Sequence, residues 1–119
     1  MRSKFEERLA ADLKKRGIEY IYEAQAFTYM IPRKYTPDFR VKAKGALAPI
    51  WVEAKGYLTP GDRAKTLAVL AAHPGIDLRF VFQRASNKLG KGSKSTYASW
   101  CDKHGIPWAE GTIPKAWLD

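Results

Sequence analysis

Phe5, Leu9 and Leu13 recur at the spacing of one helical face and Gly17 ends the run, so residues 3–16 read as a helix. "IEYIYE" (18–23) and "FTYMI" (27–31) are rich in β-branched and aromatic residues and read as strands, after which Pro32 breaks the pattern. Alternation returns in "TPDFRVKA" (36–43) and "PIWVEAK" (49–55), two predicted strands around the loop "KGALA". Residues 60–73 begin with proline, carry alanine and leucine, and stop at "HPG", which predicts a second helix. "DLRFVFQ" (77–83) reads as a strand, "SNKLGKGSKS" (86–95) as a polar loop and "TYASWCDKHG" (96–105) as a helix. The closing "IPWAEGTIPKAWLD" reads as short strand and turn. The predicted order αββββαβα implies an α/β fold, a mixed sheet flanked by helices. No repeat, linker or low-complexity tract divides the chain, so residues 1–119 are expected to form a single domain.

Hydrophobic residues make up 45% of the 119, enough for one core without disulfide or metal staples. The single cysteine, Cys101, has no internal partner and suits a reducing cytoplasm. No apolar run approaches the roughly 20 residues of a bilayer-spanning helix. The N-terminal "MRSKFEERLAADLKKRG" is charged throughout, unlike a secretory signal. A cytoplasmic protein with no membrane partner is expected. Lysine and arginine number 21 against 12 aspartates and glutamates, a net charge of +9. A small domain this basic is expected to meet a polyanion, because each neutralised phosphate releases counterions.

Against that background the carboxylates need an explanation. Along a strand, Trp51, Glu53 and Lys55 share one face, with about 6.6 Å between alternate residues. One pairing register of the two arms places Asp38 directly across from Glu53, with β-carbons about 5 Å apart. A one-residue slip would send them to opposite faces. Two facing carboxylates repel unless they are protonated or bridged by a cation. Oxygen ligands with open positions suit Mg²⁺, which takes phosphate oxygens as further ligands. Lys55 beside them could orient a water and offset charge in the transition state. On spacing alone, a solvated Glu53–Lys55 ion pair explains the same residues. In the first helix Glu6 lies at the flank of the apolar arc and could reach a site over the sheet, whereas Glu7 points to solvent.

A P-D pair, a spacer, E-x-K and an upstream helical glutamate resemble the PD-(D/E)-x-K nuclease superfamily. The ordered segments "TPDF", "VEAKG", "GDR", "VF" followed by "NKLGKGS", "CDKHGI" and "IPKAW" are similar to the phage endonuclease I family of four-way (Holliday) junction resolvases, over nearly the whole chain. The resemblance implies a restriction-endonuclease-like mixed sheet in a domain-swapped homodimer, with residues 24–35 as the bridge between subunits. It implies metal-binding roles for Glu6, Asp38 and Glu53, and a catalytic role for these three and Lys55. It further implies two Mg²⁺ or Mn²⁺ ions per site and paired nicks in branched double-stranded DNA. The sequence departs from the family in a longer spacer between Asp38 and Glu53, and in carrying little of the family's leading segment and basic tail.

For contact with the DNA backbone the candidates are Arg2 and Lys4 at the N-terminus, Arg63 and Lys65 at the start of the second helix, and Lys88, Lys91 and Lys94 in the glycine-containing loop. That loop lacks the spacing of an ATP-binding loop. His73 and His104 fall at helix C-termini and read as structural. Cys101 and Trp100 read as core residues. Two other functions remain open to the sequence: a nuclease acting on other duplex or transposon-end DNA, and a structure-specific DNA-binding module without catalysis.

Overall fold

The computed structural model describes residues 3–119, so Arg2 lies outside the described residues. The elements are α1 (Lys4–Lys15), β1 (Phe39–Val41), β2 (Ile50–Lys55), α2 (Pro60–Ala72), β3 (Leu78–Phe82), α3 (Tyr97–Lys103) and β4 (Trp108–Glu110), followed by a 3-10 turn (Lys115–Trp117). They fall into two compact units, one ending at Arg33 and one running Lys34–Asp119.

The first unit is built on α1. Ser3 Oγ accepts the Glu6 N–H at 3.1 Å and Glu6 Oε1 accepts the Ser3 N–H at 3.4 Å, a reciprocal cap that fixes the helix start. Glu6 and Glu7 in the first turn and Lys14 and Lys15 in the last complement the helix dipole. The chain leaves the helix through Gly17, whose φ of 73° favours glycine. Ala10 is buried, but Phe5 and Leu9 of the expected apolar face are exposed.

The strands expected at 18–23 and 27–31 do not form. Strand propensity measures fit to a pleated, half-buried surface, and a strand needs a neighbour to complete its hydrogen bonds. Among the described residues these segments have no ladder partner, and Ile21, Phe27, Tyr29 and Met30 are exposed on the single chain, Met30 at 92%. The four consecutive strands expected after the first helix therefore reduce to two, β1 and β2.

The second unit is a four-stranded mixed sheet in the order β1-β2-β3-β4. β1 pairs antiparallel with β2, while β2, β3 and β4 run parallel, joined by crossovers through α2 and α3. The register Phe39↔Val52, Arg40↔Trp51, Val41↔Ile50 extends by one pair to Asp38 across from Glu53, the register expected from the sequence. Leu78, Phe80 and Phe82 alternate into the core, and full burial of such side chains stabilises by about 1.5–3 kcal/mol each. α3 covers them with Tyr97, Trp100 and Cys101. The Trp100 ring stands edge-on to Phe80 at 6.4 Å between centroids, and Tyr97 lies 5.4 Å from Phe82. Burial pushes the Cys101 thiol up to about 12, so it stays protonated and serves packing rather than nucleophilic chemistry. His73 and His104 stand at the C-caps of α2 and α3.

Candidate active site

β2 carries its chemistry toward its C-terminal end, the end at which parallel sheets place their binding crevices. Val52 anchors the strand in the core, and Glu53 beside it is only 6% exposed. A buried carboxylate needs partners. Asp38, just before β1, sends Oδ2 to the Ala54 N–H at 2.9 Å, so its side chain takes up a backbone donor of β2. The Asp38 and Glu53 carboxyls share a hydrogen bond, and the Tyr35 hydroxyl donates to Glu53 Oε2.

The environment separates the two acids. The hydrogen bond with Glu53, then the Ala54 amide, holds Asp38 below its ordinary value. Burial, then the hydrogen bond with Asp38, pushes Glu53 above its own. Without a cation the pair retains a proton between its oxygens more readily than isolated carboxyls would. Burial, followed by the bond to Glu53, raises Tyr35 strongly, so its hydroxyl remains a donor.

Lys55, on the same strand face as Glu53, places Nζ 3.3 Å from Asp62 Oδ1. Asp62 is the N3 residue of α2. Its Oδ2 accepts the Thr59 N–H at 3.1 Å, and Thr59 Oγ1 accepts the Asp62 N–H in return. Burial alone would raise Asp62, but the Thr59 bonds and Lys55 outweigh it, so the carboxyl is held below its usual range. The lysine is thereby anchored to a helix start.

Glu6 belongs to the other compact unit, where the Tyr22 hydroxyl donates to its Oε2. That bond, before any other cause, raises the Tyr22 phenol to about 12. Glu6 is half-buried and Glu7 exposed, as expected from their positions on the helix. Among the described residues, no group of three or more histidine, cysteine, aspartate or glutamate side chains could hold a metal ion.

Among the expected DNA contacts, Lys4, Lys65, Lys88, Lys91 and Lys94 are exposed. Arg63 is half-buried and donates Nη1 to the Leu58 carbonyl at 3.0 Å, a structural bond at the start of α2. The 86–95 loop is braced by its own hydrogen bonds. Lys88 bridges to Thr96, the Leu89 N–H donates to the Ser95 carbonyl at 3.0 Å, and Gly92 turns the chain at φ 78°. Its lysines project from a braced loop.

Sequence reasoning assigned no role to Tyr35, Tyr22 or Asp62. Asp62 had a local signal, the T-x-x-D spacing after Thr59 that announces a cap. The tyrosines reach partners 18 and 16 residues away, which no local pattern encodes.

A family model described as "Phage endonuclease I" matches residues 1–119. The chain is 40% identical over 120 residues to "Endodeoxyribonuclease 1" of Enterobacteria phage T3, covering 97% of this chain and 74% of that protein. It is 39% identical over 122 residues to "Endonuclease I" of Escherichia phage T7, covering 98% of this chain and 77% of that protein. With a match that runs from the first residue to the last, the chain belongs to the phage endonuclease I family.

Proposed function

We propose that the protein is a structure-selective endodeoxyribonuclease that resolves four-way and other branched DNA junctions by metal-dependent phosphodiester hydrolysis. One observation carries the reading. Asp38 and Glu53 face each other across paired strands and split in proton affinity, with an anchored Lys55 on the same strand face as Glu53. Two facing hard oxygen donors, whose joint ionisation is disfavoured without a counter-charge, fit a divalent cation such as Mg²⁺ or Mn²⁺. Asp38 and Glu53 would hold it, with Glu6 of the partner subunit as the third carboxylate and two ions per site as the family pattern implies. When bound, such a cation neutralises phosphate charge and eases the ionisation of water at neutral pH.

The remaining work falls to the chain itself. Asp62 aims the Lys55 ammonium, which keeps donors free to orient a water and to offset charge developing on the phosphate. The braced 86–95 loop offers three exposed lysines to the DNA backbone. The relative from phage T3 is named an endodeoxyribonuclease, which supports DNA as the substrate. The reading places the protein in the cytoplasm of a bacterial host, with a restriction-endonuclease-like sheet as its framework.

The protein acts as an exchanged homodimer in this proposal. Phe5, Leu9, Ile21, Phe27, Tyr29, Met30 and Ile31 are all exposed, and apolar surface of this extent marks an interaction site. Residues 24–35 form the bridge between subunits. Symmetry then fixes two sites on one complex, which suits a substrate that needs two cuts.

The deciding experiment incubates the protein with a labelled four-way junction and a matched linear duplex, with and without Mg²⁺. Metal-dependent, symmetric cleavage that prefers the junction is the expected result, and equal cutting of the linear duplex would remove the junction from the proposal. Binding should also weaken steeply with salt, with a log–log slope of magnitude well above ~1, as several phosphate contacts require. Charge reversal at Lys91 or Lys94 should flatten that slope and leave single-turnover cleavage at saturating protein unchanged. A flat salt dependence in the unmodified protein would contradict a surface that reads the DNA backbone.

A further inference from the structure

Two tyrosines stand at the ends of the stretch 22–35, and each donates its hydroxyl to a different acidic side chain of the proposed site. Tyr22, two residues before the 24–35 segment, reaches Oε2 of Glu6, and Tyr35, the last residue of that segment, reaches Oε2 of Glu53. We propose that Tyr22 and Tyr35 are paired positioning residues, each fixing the orientation of one carboxylate on which metal binding depends. The inference rests on the metal-dependent reading of the site given above.

The two carboxylates are held by the same design within their separate units. The Glu6 carboxyl accepts from the Ser3 N–H at Oε1 and from the Tyr22 hydroxyl at Oε2. The Glu53 carboxyl lies between Asp38 and the Tyr35 hydroxyl. A carboxylate offers about four lone-pair sites, so one phenolic donor fixes its plane and leaves acceptor capacity for a cation. Phenol suits the task because a rigid ring turns about only two side-chain torsions and its hydroxyl brings no competing charge. The Tyr35 ring packs against the core of the sheet, so the position of its hydroxyl is set by that packing. Outer partners of metal-binding side chains typically change metal affinity or activity by about 10–100-fold when removed.

The arrangement also gives the 24–35 segment a hold on the chemistry. Tyr22 lies two residues before the segment and Tyr35 is its last residue. A shift in the path of the segment would be felt by both carboxylates without either being touched directly.

The test uses Tyr22→Phe and Tyr35→Phe, separately and together, in the full chain. Each change removes a hydroxyl and keeps the ring. Mn²⁺ affinity is titrated calorimetrically on DNA-free protein, and the metal concentration needed for half-maximal junction cleavage is measured beside it. Positioning predicts a fall in Mn²⁺ affinity of about 10-fold for each variant. It also predicts a matching rise in the metal requirement, cleavage recovered at saturating metal, and junction affinity in chelator unchanged. A packing role would lower the melting temperature and leave Mn²⁺ affinity as in the unmodified protein, and that result overturns the proposal. Should Tyr35→Phe fail to fold, Tyr22→Phe carries the same comparison, since Tyr22 lies outside the sheet core, and unchanged affinity there overturns the pairing. If the unmodified protein binds Mn²⁺ yet cuts no DNA, the nuclease reading fails while the tyrosine comparison still gives its answer.

Discussion

Replacing Glu53 by alanine is expected to abolish junction cleavage while leaving junction binding intact or tighter. Glu53 is buried at the meeting point of Asp38 and Tyr35, with Lys55 two residues along the same strand face. A metal held by such a carboxylate is worth several kcal/mol of transition-state stabilisation. Each ~1.4 kcal/mol is tenfold in rate, so the loss should be about 10³-fold or more. Removing a negative charge from a surface that meets phosphate should not weaken association. The fold should survive, because burial already disfavours the ionised Glu53 and its loss leaves no unpaired charge behind. Gel-shift affinity and single-turnover cleavage on the same preparation measure both quantities. A variant that loses affinity and cutting together, with a lowered melting temperature, would assign Glu53 to structure instead.

The second large effect concerns a mixed dimer of one Glu6→Ala chain and one Glu53→Ala chain. If Glu6 serves the site of the partner subunit, one site receives both defects. The other combines unmodified Glu6, Asp38, Glu53 and Lys55. Such a dimer should nick one strand of a junction at close to half the normal total rate, and should fail to make the paired cut. Without exchange, each site carries one defect and the mixed dimer is inactive. Co-expression with two tags and tandem purification yields the species, and a nicked-circle assay separates one cut from two. A verified mixed dimer with no nicking would exclude the exchanged arrangement.

Much of the second unit was legible in the sequence because its signals are local. Proline, alanine and "HPG" bounded a helix at 60–73 that forms over Pro60–Ala72, and "DLRFVFQ" held the strand Leu78–Phe82. The hairpin register was legible for a different reason. Period-two alternation leaves few pairings that keep Asp38 and Glu53 on one face, and the observed pairing is one of them. Residues 18–31 misled because propensity describes what a segment could pair with, and among the described residues of one chain nothing pairs with them. Tyr35 and Tyr22 escaped notice since aromatic residues near apolar runs read as packing, and their hydroxyl partners lie far away in sequence. Arg63, counted among the candidate phosphate contacts, also gives Nη1 to the Leu58 carbonyl just before α2, a bond that charge and position alone do not reveal.

Two acidic side chains divide their oxygens in the same way. Glu6 gives one oxygen to the Ser3 amide and the other to Tyr22, and Asp62 gives one to the Thr59 amide and the other to Lys55. If the proposed site is the working one, each answers to two selections at once. A helix-start interaction contributes on the order of ~1 kcal/mol, against a total stability of roughly 5–15 kcal/mol for a whole domain. A lineage released from the need to cut DNA would still be held to these two carboxylates by the helices they begin. Asp38 and Lys55 cap no helix and would drift first. Within this family, the loss of Asp38 or Lys55 while Glu6 and Asp62 persist is the pattern by which an inactive descendant would be recognised.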